Sequence, residues 1–258
     1  MTYTVEGACA CHIGKVRLNN EDNFYFDSKI LPPVNSGAAE MLSMRQLLMH
    51  PVCFAVFDGM GGEKHGEQAA YIAAKTLAEQ LRDCAAAPSE LLTASCEIAN
   101  DRICVRSAEC GGDRIGSTAA ILYVHGDHLW LCNIGDSRIY RLRDDIFTQR
   151  SQDHTDALFG ARKQSPMLTQ HLGIFPHEML IEPYLAEEDI SAGDRYLICS
   201  DGLTDMVADD EIALCLRECD CVKNCVDSLM KRALERGGRD NITVVVCEVK
   251  RWDKGGTQ

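Results

Sequence analysis

Hydrophobic and polar positions repeat along the chain with two periods, one typical of strands and one typical of helices. Residues 3–11, 22–27 and 52–57 are predicted strands, and the last is apolar throughout, as expected of a strand that is covered on both faces. From Gly66 the pattern becomes that of a helix. The apolar stripe of this predicted helix consists of Ala69, Ala73, Leu77 and Leu81.

The rest of the chain continues this alternation between strands and helices. A second long helix is predicted from Pro88, a residue suited to a first helical turn, to about Ala108. Asp209-Asp210 can cap a later helix. The further predicted strands are 118–124, 128–133, 137–142, 194–200 and 242–249, and the further predicted helices are 209–218 and 222–235.

Two stretches carry no regular pattern. Residues 28–51 contain Pro32-Pro33 and Asn35-Ser-Gly37, although 39–49 could form a short helix, and residues 151–178 are polar and irregular. We find no repeat, low-complexity tract or linker, so we expect a single domain over 1–258. Antiparallel strands with helices in two separated pairs predict an α+β fold, in which two sheets pack together with the helices outside.

Charge excludes some partners. The chain has a formal net charge of −13, so we expect no nucleic-acid and no anionic-membrane partner, because both require clustered Lys and Arg. An acidic protein that handles phosphate needs local cations, which divalent metals can supply. Met1 to Glu6 lacks a basic start and an apolar core, and no apolar run approaches the ~18 residues that span a bilayer. We therefore expect a cytoplasmic protein.

The 14 cysteines fit reduced cytosolic thiols better than disulfides, because a chain of this size builds a full hydrophobic core. The densest group contains Cys215, Cys219, Cys221 and Cys225, and its spacing does not match the usual paired zinc pattern.

Aspartates recur at the predicted strand ends. Asp58 and Asp201 each end a strand and precede a glycine, Asp136 lies between strands, and Asp240 precedes the last strand. A single Asp-Gly is usually a turn. If the strand ends converge, however, the carboxylates would repel each other unless cations lay between them, and hard oxygen ligands suit Mg²⁺ or Mn²⁺.

These aspartates lie in a series of short motifs that resembles the metal-dependent serine/threonine protein phosphatases of type 2C, in particular the bacterial stand-alone members. The similarity covers about 5–249. The motifs, in the order of that family, are Arg17-x-x-Asn-Glu-Asp22, Phe57-Asp-Gly-Met-Gly-Gly62, Gly66-Glu67, Gly116-Ser-Thr-Ala119, Gly135-Asp-Ser-Arg138, Gln152-Asp-His-Thr155, Leu168-Thr-x-x-Leu-Gly173, Cys199-Ser-Asp-Gly-Leu203 and Asp240-Asn-Ile-Thr243. The resemblance implies a four-layer α-β-β-α sandwich, with two central, mainly antiparallel sheets flanked by helix pairs.

The resemblance also implies a metal centre. Asp58 would bridge two core Mg²⁺ or Mn²⁺ ions, the Gly59 carbonyl would bind one of them, and Asp201 and Asp240 would complete the other. Asp136 would help to hold a third, weaker ion.

Three further residues take roles from the same resemblance. Glu21 and Asp22 would bind metal directly or through water, and Arg17 would hold the substrate phosphate, for which the alternative is an ion pair with Glu21. The implied reaction is direct attack of a metal-bridging water on phosphoserine or phosphothreonine, without a phosphoenzyme.

The sequence departs from the bacterial pattern at two places. The residue after Gly62 is Glu63, where relatives usually carry a histidine that protonates the leaving group, and His65 follows two positions on. Glu63, His65 or metal-bound water is therefore the expected acid, and the alternative is that both side chains merely begin a solvated helix. The flap at 155–167 is also shorter than usual, which predicts a more open site.

The resemblance predicts a monomeric phosphatase whose partners are phosphorylated proteins, the targets of a serine/threonine kinase. Two rivals remain open at this point. One is a catalytically weak module of the same fold that binds phosphoproteins, and the other is a hydrolase of small phosphate monoesters.

Overall fold

The computed structural model describes residues 2–61, 65–82, 86–156 and 167–252. The strands in these ranges are β1 (Tyr3–His12), β2 (Asp22–Phe26), β3 (Leu42–Leu47), β4 (Val52–Met60), β5 (Gly116–Ser117), β6 (Ala119–His125), β7 (His128–Ile134), β8 (Arg138–Arg143), β9 (Ile146–Gln149), β10 (Tyr184–Asp189), β11 (Arg195–Cys199) and β12 (Ile242–Arg251). The helices are α1 (Gly66–Gln80), α2 (Pro88–Glu109), α3 (Asp201–Thr204), α4 (Asp209–Glu218) and α5 (Val222–Glu235).

The strands form two sheets. The first has the order β3-β1-β12-β11-β8-β9, and the second has the order β10-β7-β6-β4-β2, with the short β5 paired to β4. Neighbouring strands are antiparallel throughout both sheets. The hairpin predicted at His125-Gly-Asp127 joins β6 to β7, with His125 opposite His128.

Three hydrophobic clusters separate four layers. The cluster between the sheets includes Phe24, Phe54, Val56, Leu122, Ile198 and Val245. A second cluster packs α1 and α2 on the outer face of the second sheet through Ala69, Ala73, Leu77, Leu92 and Ile103. A third packs α4 and α5 on the first sheet through Ile212, Leu216, Val226 and Leu229. The predicted four-layer α-β-β-α sandwich is therefore confirmed.

One predicted element is wrong. Residues 39–49 form no helix but contain β3, which pairs with β1 at the edge of the first sheet. The physical reason is a period of two, because Leu42 and Met44 pack against the core between the sheets while Ser43 and Arg45 are exposed. The edge strands β9 and β10 were not predicted at all.

A smaller difference concerns helix α4. The N-cap is Ala208, so Asp209 and Asp210 lie in the first turn, where they complement the helix dipole and where Asp210 Oδ1 accepts from the Glu211 N–H at 2.9 Å. In the described residues, no helix combines the length and the apolar run that crossing a bilayer requires.

Candidate active site

The strand pairing gathers the predicted aspartates at one place. Asp22 in β2 stands opposite Asp58 in β4 across the second sheet. In the first sheet, Cys199 at the end of β11 pairs with Val244 near the start of β12, so that the segments carrying Asp201 and Asp240 meet. These positions follow from antiparallel pairing, which sets the end of one strand beside the start of its neighbour.

A cavity of about 310 Å³ lies where these segments converge. The predicted residues that line it are Arg17, Glu21, Asp58, Gly59, Asp136, Asp201 and Asp240. Met60, Gly61, Thr118 and Leu168 complete the lining. Carboxylates from both sheets thus face one cavity beside one arginine.

Asp58 is held by its own backbone. Its N–H donates to Thr118 Oγ1 at 3.0 Å, and its carbonyl accepts from the Thr118 N–H at 2.8 Å. Burial, together with repulsion from Asp201 and Asp22, raises the pKa of Asp58 well above its ordinary value. The ionised form of Asp58 is therefore destabilised, and a bound cation would offset the burial and the repulsion.

Gly59 cannot carry a side chain. A Cβ there would lie 2.2 Å from the Gly66 carbonyl oxygen and 2.5 Å from the Glu21 carbonyl oxygen, to which the Gly59 N–H donates at 3.1 Å. This close approach of three backbone segments turns the start of α1 and the Glu21 loop toward the cavity. It explains why the aspartate that ends a buried strand is followed by glycine.

Asp201 opens α3 directly after β11, and the same close packing recurs there. A Cβ on Gly202 would lie 1.9 Å from the Asn241 carbonyl oxygen, so the glycine lets the turn before β12 approach. Burial, with repulsion from Asp136 and Asp240, raises the pKa of Asp201 to about 8.

Arg17 forms an ion pair with Asp240, not with Glu21. Its Nη2 lies 2.5 Å from Asp240 Oδ2, and the arginine side chain remains 52% exposed. The hydrogen bond to Asp240 raises the pKa of Arg17 further. The guanidinium is therefore charged, anchored at one end and open to an anion in the cavity.

Asp22 lies behind the cavity and connects the two sheets. Its Oδ2 accepts from Ser200 Oγ at 2.8 Å and from Thr243 Oγ1 at 2.6 Å. Its Oδ1 is buried and has no hydrogen-bond partner among the residues that the structure describes. Burial raises the pKa of Asp22 to about 7. A buried acceptor left unpaired is costly, and an ion or its water shell would satisfy it.

Glu21 is positioned by Asn241. The Glu21 N–H donates to Asn241 Oδ1 at 2.7 Å, and Asn241 Nδ2 donates to the carbonyls of Ile13 and Asn19 at 2.9 Å. These bonds fix both ends of the loop that carries Arg17. Burial, then the charge of Glu67, raises the pKa of Glu21.

Asp136 sits on a turn that is braced from two directions. Ser137 Oγ lies 2.6 Å from Thr118 Oγ1, and the Gly135 N–H donates to His154 Nδ1 at 3.2 Å. Arg138 makes a bidentate pair with Asp153, its Nε donating to both carboxylate oxygens at 3.0 and 3.1 Å. Two of the sequence motifs thus hold each other, and burial raises the pKa of Asp136.

The two candidate acids are placed differently. Glu63 lies outside the described residues. His65 is the N-cap of α1 in the left-handed region, with φ 75°, and its side chain is 33% exposed. Its Nδ1 lies 2.9 Å from Gln68 Nε2 and 3.9 Å from Glu67 Oε1, and His65 is not among the residues that line the carboxylate cavity.

Most of the short flap also lies outside the described residues, but its base is visible. Thr155 bridges Leu168, and the Asp156 N–H donates to the Met167 carbonyl at 2.9 Å. The flap therefore leaves and rejoins the fold beside the cavity, which Leu168 lines.

The donor set fits Mg²⁺ or Mn²⁺, since it consists of carboxylates and a backbone carbonyl with no thiol or imidazole on the cavity wall. Across 2–61, 65–82, 86–156 and 167–252, no group of three His, Cys, Asp or Glu side chains is arranged to hold an ion by itself. In the structure the Asp240 carboxylate is engaged by Arg17. Carbonyl and water ligands would have to complete each shell.

Several residues near the site had been given no role from the sequence. Thr118 orders Asp58, Asn241 orders Glu21, and Ser200 and Thr243 hold Asp22. Their signal was present, because all four lie inside the motifs. Asp205 lies outside them, and burial and the charge of Asp240 raise its pKa.

Known proteins are similar to this chain in sequence. Residues 42–242 match the family model described as protein phosphatase 2C. The serine/threonine protein phosphatase PstP of Mycobacterium tuberculosis is 33% identical over 274 residues, which cover 100% of this chain and 48% of that protein. The serine/threonine phosphatase stp of Listeria innocua is 27% identical and covers 94% of this chain and 95% of its own length.

The fold comparison gives a similar result. The crystal structure of the catalytic domain of PstP in complex with two manganese ions superposes with a TM-score of 0.78 and 29% identity, covering 96% of this chain and 100% of that domain. The chain therefore spans about half the length of the full mycobacterial relative and the whole of its catalytic domain.

Proposed function

This chain belongs to the protein phosphatase 2C family, and we propose that it hydrolyses phosphoserine and phosphothreonine in proteins with two core Mg²⁺ or Mn²⁺ ions and a third, weaker one. The observation that carries the proposal is the convergence of Asp58, Asp136, Asp201 and Asp240 on one cavity beside Arg17. The whole chain, 1–258, acts as one phosphatase domain in this proposal.

The proposed metal ligands are those that the family resemblance implies, and all of them except Asp22 lie on the cavity wall. Asp58 would be shared by the two core ions, the Gly59 carbonyl would bind one, and Asp201 and Asp240 would bind the other. Asp136 would serve the third ion, while Glu21 and Asp22 would act directly or through water. When bound, the ions lower the pKa of water and offset charge on the phosphate.

Arg17 would bind the substrate. Two parallel N–H bonds from a guanidinium to phosphate oxygens fix both position and orientation. In the structure Asp240 holds one end of this guanidinium. Phosphate binding to Arg17 would release Asp240 from the ion pair, and metal binding to Asp240 would release Arg17. Each event would therefore favour the other.

Glu63 or His65 would donate a proton to the leaving oxygen. The segment that carries them begins immediately after Gly61, which lines the cavity. A serine alkoxide is a poor leaving group and gains most from a general acid.

A second cavity supports a protein substrate over a small phosphate ester. It has a volume of about 270 Å³ and shares Met60 and Gly61 with the carboxylate cavity. Buried Ile115 and Ile174 contribute an apolar wall. A polypeptide has side chains next to its phosphoresidue that can enter such a cavity, whereas a phosphorylated metabolite does not.

The test is phosphate release from phosphoserine and phosphothreonine peptides, compared with phosphorylated metabolites, in Mn²⁺ and in excess EDTA. We expect metal-dependent release that is faster from the peptides. Peptide binding without release would identify the weak binding module, and preference for metabolites would identify the monoesterase. We further propose that the protein acts in the cytoplasm, as a monomer, on targets of a serine/threonine kinase.

A further inference from the structure

The cysteine group between α4 and α5 has no role in phosphate hydrolysis. Cys215 lies in α4, Cys219 is the C-cap of that helix, Cys221 is the N-cap of α5, and Cys225 lies in the first turns of α5. The 215–225 segment lies on the helix layer outside the first sheet, where Cys215 and Cys225 belong to the buried cluster under α4 and α5.

Two of these thiols are in contact. Cys215 Sγ and Cys219 Sγ are 3.6 Å apart, and the Cys219 N–H donates to the Cys215 carbonyl at 3.1 Å, which closes one helical turn between them. Residues one turn apart have Cα atoms about 6 Å from each other. This lies within the Cα range of about 4.4–6.8 Å that a disulfide requires. The Cβ atoms, about 5–6 Å apart on a helix, must also approach to about 3.5–4.5 Å, and the end of α4 at the C-cap Cys219 is where the chain can adjust.

The surroundings favour the thiolate form of Cys215. Hydrogen bonds from neighbouring thiols, first that of Cys225, lower the pKa of Cys215 below its ordinary value. The charge of Arg232 lowers the pKa of Cys215 further. Arg195 lies beside the other two cysteines, because its Nη1 donates to the carbonyls of Leu216 and Cys219 at 2.7 and 2.6 Å and lies 4.0 Å from Cys225 Sγ. A positive charge beside a thiol cluster stabilises the thiolate, which is the nucleophile in thiol oxidation.

A second pair provides an internal comparison. Cys96 and Cys132 have the same sulfur separation of 3.6 Å, but both are buried under α2, and the Cys96 hydrogen bond together with burial raises the pKa of Cys132 well above its ordinary value. Partial burial raises the pKa of Cys219 too, but Cys219, unlike Cys96 and Cys132, is partly exposed. The two pairs thus have equal sulfur separations but differ in exposure to solvent and in nearby positive charge. These differences favour reaction of Cys215–Cys219 over Cys96–Cys132.

We propose that Cys215 and Cys219 are a redox-active dithiol that hydrogen peroxide converts to an intrachain disulfide. A thiolate of the pair attacks the peroxide, the O–O bond breaks, and a sulfenic acid and one water form. The other sulfur then attacks the sulfenic sulfur, and hydroxide leaves with the second thiol proton as water. The two thiols lose two electrons and two protons, and hydrogen peroxide becomes two molecules of water.

A thiophilic metal is the alternative use of such a group. Three cysteines could bind one ion, but in the described residues no set of three His, Cys, Asp or Glu side chains has that arrangement. Cys225 Sγ donates instead to the Cys215 carbonyl at 3.8 Å. A two-electron reaction needs only the pair that is already in contact.

The test is peptide mapping of the full-length protein after treatment with hydrogen peroxide and alkylation of the remaining thiols. Arg217 stands between the two cysteines, so trypsin separates them and a disulfide leaves two peptides linked. We expect 196–217 linked to 218–223 and released by dithiothreitol. The linked product should be two hydrogens lighter than the sum of the two peptides with Cys199 and Cys221 alkylated and with Cys215 and Cys219 as free thiols. The Cys96–Cys132 pair should remain reduced in the same sample.

Matched variants identify the sulfurs. Cys221 lies in the same small peptide as Cys219, so Cys221→Ser is the matched control and should keep the link. Cys219→Ser and Cys215→Ala should each lose it. The proposal fails if the link survives in Cys219→Ser, if the partner is the peptide 224–231 that carries Cys225, or if peroxide produces no link. None of these measurements depends on phosphatase activity, so failure of the disulfide proposal would leave the proposed function unaffected.

Discussion

At the scale of single residues, the site is defined by acids that are expensive to leave ionised. Asp58, Asp22 and Asp201 all have raised pKa values, with burial as the largest cause and neighbouring carboxylates adding to it. Cations are the simplest way to stabilise such a group near neutral pH. The polar residues that hold these acids leave them few other conformations.

Replacing Asp201 should therefore separate catalysis from folding. We predict that Asp201→Asn abolishes Mn²⁺-dependent turnover and leaves the fold intact, because an amide is a neutral, weaker ligand and also removes a repulsive charge. The measurements are phosphate release and thermal unfolding. A near wild-type rate would contradict the assignment of Asp201 to the metal centre.

The proton donor can be identified by comparing two leaving groups. Removing a general acid should cost about 10²–10⁴-fold on a phosphoserine peptide and much less on para-nitrophenyl phosphate, because nitrophenolate leaves readily without a proton. We predict this split in Glu63→Gln or in His65→Gln, with loss of the basic limb of the pH–rate profile in the same variant. Equal small losses on both substrates in both variants would show that neither side chain donates.

Residue roles were predictable from the sequence only where a motif carried them. The convergence of Asp58, Asp201 and Asp240 on one cavity was anticipated from their strand ends. The Asp240 partner of Arg17 and the inward orientation of Asp22 were not, because both depend on how strands far apart in the sequence pair.

At the scale of elements, the two sheets are joined at one edge by a buried carboxylate. Glu188 in β10 of the second sheet accepts from Arg141 in β8 and pairs with Arg150, which follows β9 of the first sheet. The Glu188 side chain is only 7% exposed. These two ion pairs lie where the edge strands β9 and β10 end their sheets, with β8 next to β9.

Removing Glu188 should destabilise the fold without changing the site. We predict that Glu188→Ala lowers the free energy of unfolding by roughly 2–4 kcal/mol, because two arginines lose the buried charge that pairs them. Glu187→Ala is the matched control, since its side chain is 56% exposed and its removal should stay within about 0.5 kcal/mol. Urea unfolding of both variants measures the two changes. Similar losses in the free energy of unfolding would refute the proposed role of Glu188 in joining the two sheets.

The sequence predicted the central strands and the long helices well, and the edge strands poorly. Central strands such as 52–57 are apolar on both faces, which gives a strong signal. β10 alternates partly buried and exposed positions and carries three acids, and β9 is short and largely exposed, so neither pattern differs from that of a loop. β3 has a mixed composition that also suits a helix, and its period of two covers only a few residues, so pairing with β1 was needed to favour the strand.

At the scale of the whole molecule, metal binding and folding should be linked through protons. Asp22 and Asp201 have folded-state pKa values of about 7 and about 8, above the value of about 4 expected in an unfolded chain. Between these values the folded, metal-free protein holds more protons than the unfolded one. Its stability should therefore fall as pH rises through this window.

Metal ions replace those protons when they bind. The stabilisation that they provide should therefore increase as pH rises, whereas the stability of the metal-free protein falls. We predict that Mn²⁺ raises the melting temperature more at about pH 7.5 than at about pH 5.5, relative to EDTA at each pH. Thermal unfolding in the four conditions measures this difference. If Mn²⁺ raised the melting temperature equally or more at the lower pH, the carboxyl groups with raised pKa values would not be the metal ligands.

The central claim is that carboxylates from both sheets hold two metal ions in the cavity beside Arg17. The most direct measurement is anomalous diffraction at the manganese edge from crystals of this protein grown with Mn²⁺. We predict two strong peaks that share Asp58, one contacting the Gly59 carbonyl and the other contacting Asp201 and Asp240. Peaks elsewhere, or a cavity without manganese at concentrations that support turnover, would contradict it.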